Sequence, residues 1–407
     1  MRFLLTSWGS RGDVEPLVGL AVALRDLGAQ VRVAVPPDDD FVALLARVGV
    51  PLVPLGPTVR SIVVRPAPPT PQDAFRLAPE LVAARFETLT AAAEGCDALL
   101  ATGLMPAGAR DVAEHLGIRY VFSVFHLLGL PSRYSAPGHR PGTPSPADET
   151  DNRTLWRQDT ERVNALYGPA LNSHRAALGL PPVDNVRDHV FSDRPWLAAD
   201  PTLCPSKGRT DLDVLQTGAW ILPDDRPLPA EVESFLAAGE PPVYVGFGSM
   251  AAYIPKDLAR VAIESVRAQG RRVLLARGWA DLAPVDDAGD CLAVGEVNQQ
   301  ALFRRVAAVV HHGGAGTTTT ASAAGAPQVI VPQIADQPLW AAKVAELGIG
   351  VAHDGPTPTT DTLSAALALA LTPAVRERAQ TAAATIQPDG ATVAAKLLLA
   401  ADSPAVG

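Results

Sequence analysis

Three glycine-containing turns, each following an apolar run of strand length, hold the side chains best suited to chemistry in this chain. The first is GSRGDVEP, residues 9–16, which carries Ser10, Arg11, Asp13 and Glu15 where a strand gives way to a helix. Gly9 and Gly12 read as the residues that permit a tight turn there. A helix N-terminus presents unpaired N–H groups and a partial positive charge, so this turn can attract an anion or a carboxylate. From spacing alone, Asp13 and Glu15 read as an N-cap and a dipole-favoured first-turn residue, and Ser10 caps equally well. The pattern G-x-G-x-x-G does not fit, which excludes the dinucleotide fingerprint.

The second turn, VGFGSM (245–250), sets Gly246, Gly248 and Ser249 at the carboxyl end of a buried strand. Ligands sit at that edge of an open parallel sheet, although a plain strand-to-helix turn with Ser249 as N-cap explains the same residues. The third turn, VVHHGGAGTTTTASAAGAP (309–327), is the strongest. His311 and His312 lead into Gly313, Gly314, Ala315 and Gly316, and Thr317 to Thr320 open an Ala-rich helix. Such a start offers backbone N–H groups and hydroxyls enough to hold a diphosphate without Lys or Arg. His312 is placed to donate to a phosphate oxygen, with charge assistance if protonated. Zinc does not fit, because adjacent side chains splay to opposite strand faces and no carboxylate or Cys stands at ligand spacing. Farther on, Asp336 and Gln337 precede Pro338. A carboxylate beside a carboxamide can take sugar hydroxyls, and Asp336 also suits a helix N-cap.

The elements that must position these turns alternate along the chain. FLLTS (3–7), the helical PLVGLAVALRDLG (16–28) and AQVRVAVPP (29–37) make a strand-helix-strand unit, which joins parallel strands. The rhythm continues to YVFSVF, then yields to PSRYSAPGHRPGTPSPADET (131–150), a Pro- and Gly-rich loop of the kind that carries function. Helical segments follow around RTLWRQDTERVNALYG and NSHRAALG, and PWLAADPTLCPSKGRTD reads as a connection. From about residue 213 the strand-helix rhythm resumes. The expected class is α/β, two Rossmann-like domains of similar size with a ligand in a cleft between them.

Composition excludes several alternatives. With 407 residues, 47% hydrophobic and 19% charged, the chain is globular and long enough for two domains. A net charge of −9 and no basic run argue against nucleic acid, so an anionic ligand must be held locally. Cys96, Cys204 and Cys291 fit neither a disulfide framework nor a metal site, which points to the cytoplasm. No apolar run reaches the length of a membrane span or a signal segment, so no membrane span is expected. His126 ends the strand YVFSVFH, as a cleft-facing base or as a capping or solvent residue; His115, His139, His174, His189 and His353 form no constellation. Trp196, Trp220 and Trp340 read as packing residues, whereas Trp279 can line a ligand cleft.

Together, GSRGDVEPLVGLAVALRDLGA, LQTGAW, VGFGS, RGWADL, HHGGAGTT and the DQ pair resemble the inverting, metal-independent GT-B glycosyltransferases of natural products, most closely those acting on vancomycin-type glycopeptides. LNSHRAALGLPPV (171–183), PWLAADP (195–201) and GVAHDGPTPT (350–359) extend that resemblance over nearly the whole chain. It implies an acceptor-binding domain over 1–208, a nucleotide-sugar domain over 209–407, and a last helix, about 390–402, crossing back to the first domain. Carried over by position, Asp13 matches the general base, and Ser10 and Arg11 the loop reaching toward the donor. Ser249, His312, Gly314, Gly316 and Thr317 match diphosphate contacts, His312 being with Asp13 also a catalytic residue because it stabilises the departing charge. Val297 matches the backbone contact to the base with Trp279 near it, and Asp336 and Gln337 the sugar-hydroxyl pair. Trp8 and His126 are the candidate acceptor contacts. Relatives with a His after the first strand pair it with an Asp, whereas this loop has no His. Asp13 then acts itself, or through a water or His126, and a phenolic acceptor lessens the mismatch with a carboxylate base.

The implied reaction moves a sugar from UDP- or dTDP-sugar, a co-substrate, to an aglycone hydroxyl, with no metal or other cofactor, by a monomer. Deoxysugar transfer to an aromatic polyketide is the alternative. A GT-B sugar-nucleotide epimerase, a glycosyl phosphorylase and a non-catalytic nucleotide-sugar-binding protein are the more distant ones.

Overall fold

The computed structural model describes residues 1–63, 70–138, 151–249, 253 and 255–400. Seven strands, β1 (Arg2–Trp8), β2 (Gln30–Val35), β3 (Leu52–Pro54), β4 (Ala98–Gly103), β5 (Arg119–Val124), β6 (Trp196–Leu197) and β7 (Leu215–Gln216), form one sheet in the order β3-β2-β1-β4-β5-β6-β7. Six more, β8 (Val243–Gly246), β9 (Val273–Ala276), β10 (Cys291–Val294), β11 (Ala308–His311), β12 (Gln328–Ile330) and β13 (Gly350–Ala352), form a second in the order β10-β9-β8-β11-β12-β13. All pairings are parallel. Parallel strands are covered by helices on both faces, which is why their cores read as near-continuous apolar runs such as Phe3–Leu5 and Val243–Val245.

The described residues divide into two compact units, 1–63, 70–222 and 388–400 against 223–249, 253 and 255–387. The division at 222/223 lies later than 208/209 because β7 pairs with β6: the Thr217 N–H donates to Leu197 O at 3.0 Å, which binds this segment to the first sheet. The stretch PWLAADP is therefore partly strand, not simply connection. The helix Gly390–Ala400 belongs to the first unit, where Ala391, Ala394, Ala395 and Leu398 join Val14, Leu17 and Leu24 over the β1 face. Gly390 makes this approach feasible, since a Cβ there would lie 2.4 Å from the Gly218 carbonyl carbon.

Other local expectations shift. The first helix begins at Arg11 rather than near 16, with Pro16 inside it, and the two helical stretches after 150 are one helix, Asn152–Ala177. Residues 139–150 of the long loop, and His139 with them, lie outside the described residues. No helix among the described residues is long and apolar enough to cross a membrane.

Candidate active site

The candidate residues fall into one group in each unit, at the carboxyl ends of the strands. In the first unit, β1 ends at the buried Trp8, whose indole N–H donates to Pro57 O at 3.0 Å. Ser10 is the N-cap of the helix Arg11–Asp26, but its hydroxyl makes no capping bond. Asp13 is therefore not the cap; it lies in the first turn, and Ser10 Oγ stands 3.5 Å from Asp13 Oδ2. Gly9 and Gly12 have no left-handed φ, so backbone freedom is not their role. Gly9 is required for space: a Cβ there would sit 2.2 Å from Asp13 Oδ2. The half-buried Asp13 carboxylate folds back across the end of β1. Arg11 pairs with Glu15 at 2.5 Å, one turn along the helix. His126 precedes a short 3-10 turn, Leu127–Gly129, without capping it, and its buried Nδ1 has no hydrogen-bond partner among the described residues.

In the second unit, the turns after β8, β9, β11 and β12 touch one another. The Trp279 N–H donates to Gly248 O at 3.0 Å, and Gly248 packs against the His312 ring, which a Cβ at 248 would meet at 3.3 Å. The ring also lies over Gly314, where a Cβ would be 2.7 Å from Nε2. Gly314 is the N-cap of the helix Ala315–Ala323 and has no side chain with which to occupy the N-terminal N–H groups. Thr318 and Thr319 turn their hydroxyls onto Gly314 O and Ala315 O, whereas Gly316 is exposed and Thr317 half-buried in the first turn. Ser249 is half-buried just past Gly248. Val297, after β10, is buried among Val294, Leu302 and Phe303.

The two adjacent histidines have opposite roles, as strand alternation requires. His311 is fully buried; its Nδ1 accepts from the Gly313 N–H at 3.1 Å, so its Nε2 donates to Gln328 Oε1 at 2.9 Å. Burial pushes His311 down to about 3 and His312 to about 4, although the Asp336 carboxylate works against the latter shift. Burial alone thus favours the neutral form of both rings at pH 7. A neutral imidazole can still donate one hydrogen bond.

Asp336 and Gln337 also differ from the simple picture. Asp336 stands at the N-cap of the helix Gln337–Glu346 yet does not cap it; Trp340 Nε1 donates to its Oδ2 at 2.6 Å and fixes the carboxylate. Gln337 is buried, and its Oε1 accepts the N–H groups of Gln333 at 2.7 Å and Ile334 at 3.1 Å. The carboxamide thus braces its own loop. Ala335, between them, has φ 55°, a left-handed conformation costly for a residue with a side chain.

One constellation has no signal in the sequence. Asp111, Glu114 and His189 converge as metal ligands do, but Arg175 Nη1 stands among them, 2.9 Å from Glu114 and hydrogen-bonded to Asp111 as well. A guanidinium is the cation of this cluster. His189, expected to be solitary, lies 3.1 Å from Asp111, and His353 bridges Gly355 O and Thr362 Oγ1 at 2.9 and 2.8 Å.

Comparison with known proteins decides the family. The chain is 57% identical to glycosyltransferase GtfE of Amycolatopsis orientalis, over all of both chains, and 56% identical to the vancomycin aglycone glucosyltransferase of the same organism, over 99% of this chain and 98% of that one. The chain belongs to the vancomycin-group glycosyltransferases. The model for the C-terminal domain of erythromycin biosynthesis protein CIII-like proteins matches residues 280–399 of this glycosyltransferase. A crystal structure of the glycotransferase of kitacinnamycin shares the GT-B fold, with a TM-score of 0.71 at 22% identity over 98% of each chain.

Proposed function

We propose that this glycosyltransferase moves a hexose from a UDP- or dTDP-sugar to a hydroxyl of a vancomycin-type glycopeptide aglycone, with inversion and without a metal. The observation that carries the reading is the second unit's uncapped helix start at Gly314, with neutral His312 folded over it and Asp336 held nearby by Trp340. That arrangement suits a diphosphate on N–H groups and a sugar hydroxyl on a carboxylate. The donor therefore binds to the second unit, and the acceptor to the first unit beside Asp13.

In the reaction, the acceptor oxygen forms a bond to the anomeric carbon on the face opposite the diphosphate. Its proton passes to Asp13, the bond from the anomeric carbon to the phosphate oxygen breaks, and the nucleoside diphosphate leaves. Partial charge at the helix start and the His312 N–H stabilise that leaving charge. The sugar donor is a co-substrate and no cofactor takes part in this reading, and the free cysteines are compatible with action in the cytoplasm.

The test is a matrix of UDP- and dTDP-sugars against glycopeptide and polyketide aglycones, read by mass shift, with the anomeric configuration of product assigned by NMR and EDTA present in one arm. A single-sugar mass shift on a glycopeptide aglycone, inverted and insensitive to EDTA, is expected. Donor turnover without acceptor product, product only with polyketides, retention, or loss of activity with EDTA would each overturn the corresponding part.

A further inference from the structure

Arg85 is a fully buried cation, 1% exposed, in the helix Pro71–Ala93, and no carboxylate among the described residues pairs with it. Its guanidinium instead donates to three carbonyls of one loop: Nη1 to Met105 O at 3.0 Å and Ala107 O at 3.1 Å, and Nη2 to Leu104 O at 3.0 Å. Burial lowers Arg85 to about 10, so it remains charged at pH 7 and the three bonds are charge-assisted. The far end of the loop is also tied, because the Gly108 N–H donates to Asp111 Oδ2 at 3.1 Å. Burying a cation is costly unless every donor is used, and an apolar side chain would fill the same space more cheaply. Here the cation fixes the backbone of residues 104–107.

Two facts say what that loop presents. It follows β4 at the carboxyl edge of the first sheet, and the Leu104 N–H donates to Trp8 O at 3.2 Å, immediately before the Gly9–Asp13 turn. Residues 105–109 are all buried, whereas the Leu104 side chain is 41% exposed. A rigid backbone thus holds one apolar side chain outward at the edge where open parallel sheets bind ligands. We propose that Leu104 is an acceptor-specificity contact, taking an apolar or aromatic face of the aglycone, and that Arg85 is the positioning residue that fixes it. This rests on the assignment of the acceptor to the first unit.

The experiment uses the full-length enzyme and whichever aglycone the wild type glycosylates. Acceptor KM and kcat are measured at saturating donor, and the Kd of UDP or dTDP by calorimetry without acceptor. Leu104→Ala should raise acceptor KM about tenfold, as expected for losing most of a buried leucine's apolar contact, with nucleotide Kd unchanged. Arg85→Met should raise it at least as much, Arg85→Lys should restore part of the loss, and the double variant L104A/R85M should be no worse than R85M alone. A purely structural Arg85 would lower the melting temperature but give additive effects. An acceptor KM within twofold of wild type for L104A, additivity in the double variant, or an equal loss of nucleotide affinity overturns the inference. If R85M does not fold, L104A and R85K decide it, since Leu104 is on the surface. Absence of transfer by the wild type would instead sink the proposed function, so the two failures are distinguishable.

Discussion

The Asp13 carboxylate lies directly over the backbone of Gly9, so close that a Cβ at position 9 would be 2.2 Å from Oδ2. The glycine serves the carboxylate rather than the turn, because its φ is not left-handed. A residue on the first helical turn is thereby held across the end of β1, where the acceptor hydroxyl must be deprotonated if Asp13 is the base.

Gly9→Ala should therefore act as a catalytic variant. The added methyl displaces the carboxylate by an ångström or more, and a misplacement of that size costs on the order of 10²-fold in turnover. Asp13→Asn, which keeps the shape and removes the base, should cost about 10²–10⁴-fold in kcat. Nucleotide Kd should stay within twofold in both, since Gly9 and Asp13 lie in the first unit. Steady-state kinetics beside calorimetry check this, and normal kcat in D13N would remove Asp13 as base.

The strand-helix alternation was legible because parallel strands and amphipathic helices leave strong apolar patterns, as in Phe3–Leu5 and Val14–Leu24. The glycine turns were legible for the same local reason. What stayed hidden depends on approach in space. Gly9 looks like any turn glycine until the Asp13 side chain is seen above it. Gln337 reads in the sequence as a sugar contact, and only the structure shows that its Oε1 also holds the Gln333 and Ile334 amides. β6 and β7 are each two residues long and owe their existence to neighbouring strands, so PWLAADP carried no strand period. The Asp111–Arg175–His189 cluster joins residues far apart in sequence, and no spacing encodes it.

Stability should fall on mild acidification through the buried histidine. The unfolded His311 ring takes up a proton near pH 6.5, whereas the folded ring does so only near about 3. Between those values the unfolded state binds more protons, so folding stability is full above pH 6.5 and declines as pH falls toward 3. His312, lowered to about 4, adds to the same slope. Urea midpoints at pH 7 and 4.5 should show the decline in the wild type and a smaller one in His311→Gln; equal slopes would refute the assignment.

The Arg175 cluster should matter to stability and not to metal content. Arg175→Met leaves Asp111, fully buried, without its guanidinium, and breaking a buried pair costs about 3–5 kcal/mol. Burial alone would raise the Asp111 carboxyl, but hydrogen bonds from His189 and Arg175 bring it below its ordinary value. Its contribution is therefore present above the ordinary carboxylate pKa and lost as pH falls through the lowered one. Glu114→Gln, at a partner 40% exposed, should cost under about 1 kcal/mol. Urea unfolding distinguishes them, and equal costs would mean that Asp111 is not the residue that needs Arg175.

Ala335 offers a test in which stability and function part. Its left-handed φ of 55° costs an L-residue about 1–2 kcal/mol, and glycine removes that strain while adding about 0.5–1 kcal/mol of unfolded-state entropy. Ala335→Gly should therefore leave the melting temperature unchanged or slightly raised. The same change frees the backbone between Gln337's hold on residues 333–334 and Trp340's hold on Asp336, so the carboxylate is less well placed for a sugar hydroxyl. Donor KM should rise several-fold while the Kd of the free nucleoside diphosphate, which lacks the sugar, stays constant. Ala335→Val, with a β-branched side chain at the same φ, should instead lose stability. If A335G weakens the free nucleotide as much as the sugar donor, the loop acts on the diphosphate and Asp336 is not the sugar contact.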